Sequence, residues 1–283
     1  MVARREELKA LVNLYVNALC AGDASRLPLT AEFRYTENCQ DLPLGKGLWA
    51  TSTGNLSYRL YMLDVEASQA GFFGALTENG EPCFIALRLK VNGRELSQAE
   101  ALVARWGNPL WGPAGFHEPR AELVQAVPPA ERATRQEAIA IANSYFDAIE
   151  LDNGDIVPVH PDCIRIENGV QTTSNPERAG VGRLSVKDGL SSGFYSYIRE
   201  IRDRRHPVYD DETGVIMSVV VFEHPALVKS VLVEGIGDLK LAPFTQKPSS
   251  AVIFEAFKVQ AGQIRQIEAV LEFLPYGIKT GWE

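Results

Sequence analysis

The chain carries one pattern twice. Leu8, Leu11, Val12, Tyr15, Val16 and Leu19 recur 130 residues later as Ala138, Ile141, Ala142, Tyr145, Phe146 and Ile149. The ungapped match runs through Pro28 and Pro158 to the pairs Glu37-Asn38 and Glu167-Asn168. Near the end of each half, Lys90-Val91 and Gln98-x-Glu100-Ala101 return as Lys258-Val259 and Gln266-x-Glu268-Ala269, now 168 residues apart, so the second copy holds about 38 extra residues. A repeat of this length predicts two modules, 1–104 and 134–283, joined by 105–133. That linker is rich in Pro and Gly, and its aromatic residues Trp106, Trp111 and Phe116 predict that it packs against a module.

Each module opens with an amphipathic helix, over 5–21 and from the capping box Thr134-x-x-Glu137 to about Ile149. Strand patterns follow at 32–38, 71–76, 84–91 and 96–103, with a hairpin turn at Asn92-Gly93, and at 162–168, 214–222, 231–234, 251–259 and 264–273. Residues 58–65 read as a looser segment. Within the extra residues, the spacing of Phe194, Tyr197, Ile198 and Ile201 predicts a second helix over 186–202, with Arg202–Arg205 as its solvated end. The fold class expected is α+β.

The net charge of −8 argues against a nucleic-acid partner. No apolar run has the length of a signal peptide or a membrane span, so a cytoplasmic protein without membrane contact is expected. Cys20, Cys39, Cys83 and Cys163 show no metal spacing and read as free thiols. The absence of HxH, HExxH, GxSxG, GxGxxG and P-loop motifs leads to the expectation of no metal and no cofactor.

The order of helix, short strand ending in a carboxylate and long antiparallel strands, with Tyr15 before Tyr35-Thr36-Glu37-Asn38 and Tyr145 before Arg165-Ile166-Glu167-Asn168-Gly169, resembles the nuclear-transport-factor-2-like (SnoaL-like) superfamily. The resemblance implies two tandem cone-shaped modules, each with helices packed on a curved antiparallel sheet around an apolar pocket. It also implies pairing of modules through their sheets, as an internal pseudo-dimer that leaves homo-oligomerisation open. Ketosteroid-isomerase-like members use a helix tyrosine as oxyanion donor and a carboxylate as base, and Tyr145 and Glu167 sit at comparable places. The two-module form is also similar to bacterial lyases that release formaldehyde from lignin-derived diaryl diols.

Candidate site residues come from where the copies differ. Arg165 stands where the first copy has Tyr35, two residues before Glu167 and on the same side of a strand. An arginine there keeps the acid ionised and can hold an anionic substrate group. Glu255 replaces Leu87 on an otherwise apolar face, so it either lines a pocket with a raised pKa or turns to solvent in a shifted register. Tyr145 is either a core phenol or a proton or hydrogen-bond donor to a ligand. Glu167 either ties off a strand or acts as base. His224, at a strand end, is either structural or a proton carrier. Asn168, Gln171, Tyr195, Tyr197, Arg199 and Tyr276 are candidate substrate contacts. The leading expectation is an acid–base lyase with a hydrophobic or aromatic small-molecule substrate. An isomerase or dehydratase, a non-catalytic carrier and an interaction scaffold stand beside it.

Overall fold

The computed structural model describes residues 4–115 and 117–282; the linker's Phe116 lies outside them. Module one runs α1 (Arg5–Ala21), β1 (Leu29–Glu37), β2 (Gln40–Asp41), α2 (Leu48–Thr51), β3 (Ser52–Asp64), β4 (Gln69–Glu78), β5 (Glu81–Asn92) and β6 (Glu95–Arg105). The linker contributes α3 (Ala121–Val124). Module two repeats the order as α4 (Arg135–Leu151), β7 (Arg165–Glu167), β8 (Val170–Gln171), α5 (Val186–Leu190), β9 (Glu200–Asp210), β10 (Val215–His224), β11 (Ser230–Val233), β12 (Gly237–Lys240), β13 (Ser249–Gln260) and β14 (Gln263–Pro275).

Each module builds a six-stranded sheet, ordered β2-β1-β6-β5-β4-β3 and β8-β7-β14-β13-β10-β9. The fold is α+β, but the sheets are mixed where antiparallel ones were expected. β1 lies parallel to β6, and β7 parallel to β14, because the chain passes through a whole meander before returning beside the short first strand. The segment 58–65, read as looser, belongs as far as Asp64 to one long strand, β3, which pairs with β4.

The extra residues of module two fall in two places. Asp64 pairs with Gln69 as Asp210 pairs with Val215, an offset of 146, while Gln69 pairs with Lys90 as Val215 pairs with Lys258, an offset of 168. One insertion therefore lies between β8 and β9, and the other, holding the β11–β12 hairpin, between β10 and β13. The single helix expected over 186–202 is absent. It breaks after Leu190 at Ser191-Ser192-Gly193, a 3-10 turn covers Phe194–Tyr197, and β9 begins at Glu200. Gly193 has φ +78°, and a Cβ there would meet the Leu232 carbonyl at 2.6 Å, so the turn that docks the two insertions on each other needs glycine. Arg202–Arg205 is strand rather than a solvated helix end; Arg202 pairs with Glu223, Arg204 with Asp147 and Glu150, and Arg205 with Glu100.

Within each module the opening helix covers one sheet face, through Leu8, Val12, Tyr15, Val16 and Leu19 in α1 and Ala138, Ala142, Tyr145, Phe146 and Ile149 in α4. The opposite faces of the two sheets pack on each other. Tyr58, Leu60, Met62, Phe73 and Phe84 meet Val208, Met217, Val219, Val221 and Phe254 in one cluster. This double coverage explains why β10 is buried along its whole length and is apolar at every position but Ser218, Glu223 and His224.

The seam has a two-fold logic written in equivalent residues. Arg5 at the start of α1 binds Asp210 at 2.6 Å, and Asp210 accepts the Leu63 amide; Arg135 at the start of α4 binds Asp64 at 2.7 Å, and Asp64 accepts the Tyr209 amide. Their Nε atoms reach Glu212 and Glu66 in the same way. The linker packs as expected: Asn108 bonds the Leu271 carbonyl, Trp111 sits 4.6 Å from Phe84, and Leu123 is buried in the seam. Among the described residues no helix is long and apolar enough to cross a membrane.

Candidate active site

Both insertions of module two roof a cavity of about 210 Å³ over the helix-side face of its sheet. Strand alternation supplies the floor: Phe222 and His224 from β10, Ala251 and Ile253 from β13, and Leu271 and Phe273 from β14. The first insertion adds Thr172, Thr173, Phe194, Tyr195, Tyr197 and Ile198, the second adds Phe244, and the linker adds Leu110. Arg165 and Glu167 form its polar end, and Arg178 a charged part of the roof.

Glu167 and Arg165 sit at the end of β7, side by side as an extended strand requires, with Arg165 Nε 3.2 Å from Glu167 Oε2. The arginine is held on all sides. Its Nε donates to Thr172 Oγ1 at 3.0 Å, its Nη1 donates to the Tyr145 hydroxyl at 2.8 Å, and its backbone amide donates to Thr173 Oγ1 at 2.8 Å. Tyr195 stands over it from the roof, its ring centroid 5.6 Å from the guanidinium carbon. Burial works against the Arg165 charge, yet Glu167 and the two phenols outweigh it and hold the guanidinium protonated well above its usual range.

Behind this pair lies the buried Glu255, beside Tyr145. Glu255 follows Ala251 and Ile253 on the same face of β13, one step beyond the cavity wall, so the register that turns it to solvent does not occur. Burial pushes its carboxyl up to about 8; Arg165 pulls the other way and Glu167 adds to the rise. At neutral pH it is mostly protonated. Burial also raises the phenols of Tyr145, Tyr195 and Tyr197, which therefore stay neutral.

His224 lies across the cavity, stacked on Tyr197 at 5.5 Å and beside Phe273 at 5.8 Å. Burial pushes its imidazole down to about 4, with Glu223 only partly offsetting, so the ring is neutral at pH 7. Its Nδ1 is buried with no hydrogen-bond partner in the protein. A buried orphan of this kind is costly unless a water or a ligand meets it.

The structure thus brings Arg165, Glu167, Tyr195, Tyr197 and His224 to one cavity, with Tyr145 and Glu255 supporting it from behind. Four other candidates lie elsewhere. Asn168 is fully buried at φ 45°, and its side chain bonds both backbone groups of Leu271, donating to the carbonyl at 2.9 Å and accepting the amide at 3.0 Å. Asn38 does the same to Val103, so the repeated asparagine continues the parallel pairing past the strand end and does not line the cavity. Gln171 braces its own loop through the Thr173 and Ser174 carbonyls. Arg199 and Tyr276 are exposed and off the cavity wall. Sequence reasoning missed Phe222, Ile253, Leu271 and Phe273 as cavity residues; stepping by two from His224 and Glu255 along their strands gives Phe222 and Ile253, while Leu271 and Phe273 enter from the neighbouring strand β14. Phe244 and Leu110 had no such signal, since irregular chain carries them in.

No group of three His, Cys, Asp or Glu able to hold a metal ion occurs among the described residues. Residues 131–271 match a family model described as a domain of unknown function, DUF8021. That stretch starts at the 3-10 turn before α4 and stops in β14, so it covers the cavity-bearing module and leaves module one outside. No curated protein matches the chain.

Proposed function

We propose that module two is an acid–base enzyme, a lyase acting on a small aromatic molecule that carries hydroxyl or phenolic oxygens. The observation that carries this reading is a carboxylate, Glu167, facing an aromatic cavity with a buried arginine 3.2 Å away that is itself bonded to the Tyr145 hydroxyl. Glu167 is the base. Arg165 and Tyr195 stabilise negative charge that develops on a substrate oxygen, in a site where burial strengthens each interaction. Tyr145 and Glu255 act as positioning groups: a protonated Glu255 leaves the Arg165 charge to Glu167 and the substrate. His224, neutral, offers a hydrogen-bond acceptor to a substrate hydroxyl.

The cavity volume of about 210 Å³ lies below the roughly 300–1,000 Å³ common for drug-sized ligands, so it takes one substituted ring rather than a fused polycycle. A diaryl diol places one ring inside and the other in the mouth. For such a substrate the benzylic hydroxyl leaves as water with a proton from Tyr195. Glu167 takes the proton of the terminal hydroxymethyl group. The carbon–carbon bond breaks to release formaldehyde, and its electron pair closes the new double bond.

The test is incubation of the purified protein with single-ring and diaryl diols while formaldehyde and absorbance are followed together. Formaldehyde with a stilbene-like absorbance that is lost in Glu167→Gln supports the lyase. An absorbance change without formaldehyde points to an isomerase or dehydratase at the same site. Thermal stabilisation by the compounds, equal in wild type and Glu167→Gln and without turnover, overturns the enzyme reading in favour of a carrier.

A further inference from the structure

A second cavity, of about 640 Å³, opens at the seam between the modules, far in character from the aromatic one. Its wall holds Arg34, Arg88, Lys90 and Arg205, in a chain whose net charge is −8. Two carboxylates lie within reach: Asp41, bound to Arg34, and the buried Glu100, bound to Arg88 at 2.8 Å and Arg205 at 2.6 Å. Four cations thus face two anions.

The free polar atoms are all donors. Arg88 is 3% exposed, and its Nη1 donates to the side-chain oxygens of both Gln69 and Gln98. Since arginine has nothing to accept with, both glutamines must turn their oxygens to it and their amide groups away. The Gln69 amide is satisfied by the Pro207 carbonyl. Among the described residues the Gln98 amide, Arg88 Nη2 and the Lys90 ammonium have no partner, and Arg205 Nε is buried without one. Trp282 closes the pocket against Arg34 and Arg88, at 4.0 and 4.7 Å, with its indole N–H on Thr36. Burial pushes the Arg88 guanidinium below its usual value; Glu100 pulls it back up, while the Arg205 and Arg34 charges deepen the drop.

We propose that this seam pocket binds a small multivalent oxyanion, a phosphate ester or a di- or tricarboxylate, that bridges Lys90, Arg88 and Gln98 of module one to Arg205 of module two. Only an acceptor-rich, negatively charged ligand meets a wall of unpaired donors, and fork-shaped guanidinium groups suit carboxylate and phosphate oxygens. Such a ligand ties the two modules together without touching the aromatic cavity.

Thermal unfolding of the full chain with pyrophosphate or citrate, each at about 5 mM against sodium chloride of equal ionic strength, tests this. The expected result is a midpoint raised by about 3 °C, lost in Lys90→Glu and reduced in Gln98→Leu. Lys90 is exposed and has no ion pair among the described residues, so its replacement leaves the fold intact. Glu167→Gln keeps the full shift, which separates this site from the catalytic one. A response to pyrophosphate alone assigns phosphate esters, and one to citrate alone assigns carboxylates. No shift beyond chloride, or an equal shift in Lys90→Glu, overturns the proposal.

Discussion

Glu37 in module one and Glu167 in module two occupy the same place in the same repeat, yet they are chemically different groups. Glu37 is saturated. It accepts the Tyr35 hydroxyl at 2.8 Å and the Leu48 amide at 2.7 Å, and its other oxygen binds Arg105 at 2.8 Å. Gly47 permits this, since a Cβ there would stand 2.3 Å from the carboxylate. Trp49 fills the space beside it, with its indole N–H on Tyr15. Glu167 has the Arg165 contact and otherwise faces a cavity, because an insertion has replaced the short Trp49 turn with a roof. One copy has turned its carboxylate into a structural clamp; the other has left it available. Duplication preserved the backbone while the loops decided which copy could do chemistry.

The matched pair Glu167→Gln and Glu37→Gln separates the two carboxylates most strongly. With a substrate in hand, Glu167→Gln lowers turnover by about 10²–10⁴-fold, as loss of a general base does. Glu37→Gln leaves turnover per folded molecule unchanged and instead costs about 2–3 kcal/mol in urea unfolding, because charge-assisted hydrogen bonds are lost in a buried place. Equal turnover in the two variants would remove the functional distinction between the modules.

The asparagines next to them make the opposite prediction, of sameness. Asn38→Ala and Asn168→Ala each cost about 2–3 kcal/mol, from two lost hydrogen bonds and a left-handed backbone position that alanine disfavours. Urea titration of both variants checks it, and a much smaller loss at Asn168 would mean that its side chain is free for another role.

A third, smaller effect concerns pH and the residue pair Glu255 and Leu87. The folded-state pKa of Glu255, about 8, lies above its ordinary value of 4.5, so the folded protein binds the extra proton between those limits. Its contribution to stability is complete below about pH 4.5 and is lost as pH rises through about 8. Glu268, raised by burial to about 7, adds a loss of the same sign. The wild type should therefore lose stability relative to Glu255→Gln as pH rises from 5 to 8, read by thermal unfolding across that range. Parallel profiles would show that Glu255 is charged when folded. The smallest effect tests the two-fold seam: Arg5→Ala and Arg135→Ala should each cost about 1 kcal/mol, and by similar amounts, since both arginines are partly exposed.

Much of the scaffold was legible because its signals are local. The helical stripe of 5–21, the capping box at Thr134 and the alternation in β13 and β14 each lie within one turn or one strand. The repeat offset then placed Glu255 opposite Leu87, and the register in the folded sheet agrees. The failed helix over 186–202 shows the limit. Four aromatic and aliphatic residues kept helical spacing, but a turn that docks on the neighbouring insertion, and a strand whose arginines pair with Glu223, Glu150 and Glu100, outweighed it.

Residue spacing and the internal repeat are enough to give two modules of one plan, their opening helices, most of their strands except β3 and β9, and the acidic residues that differ between the copies. Which of those acids is spent depends on the folded packing. The partners that saturate Glu37 come from Leu48 and Arg105, and the contacts that consume Asn168 come from Leu271, far along the chain. Whether a polar group is free is a matter of what stands beside it in space, and chain-distant pairing carries no periodicity that can be read in advance.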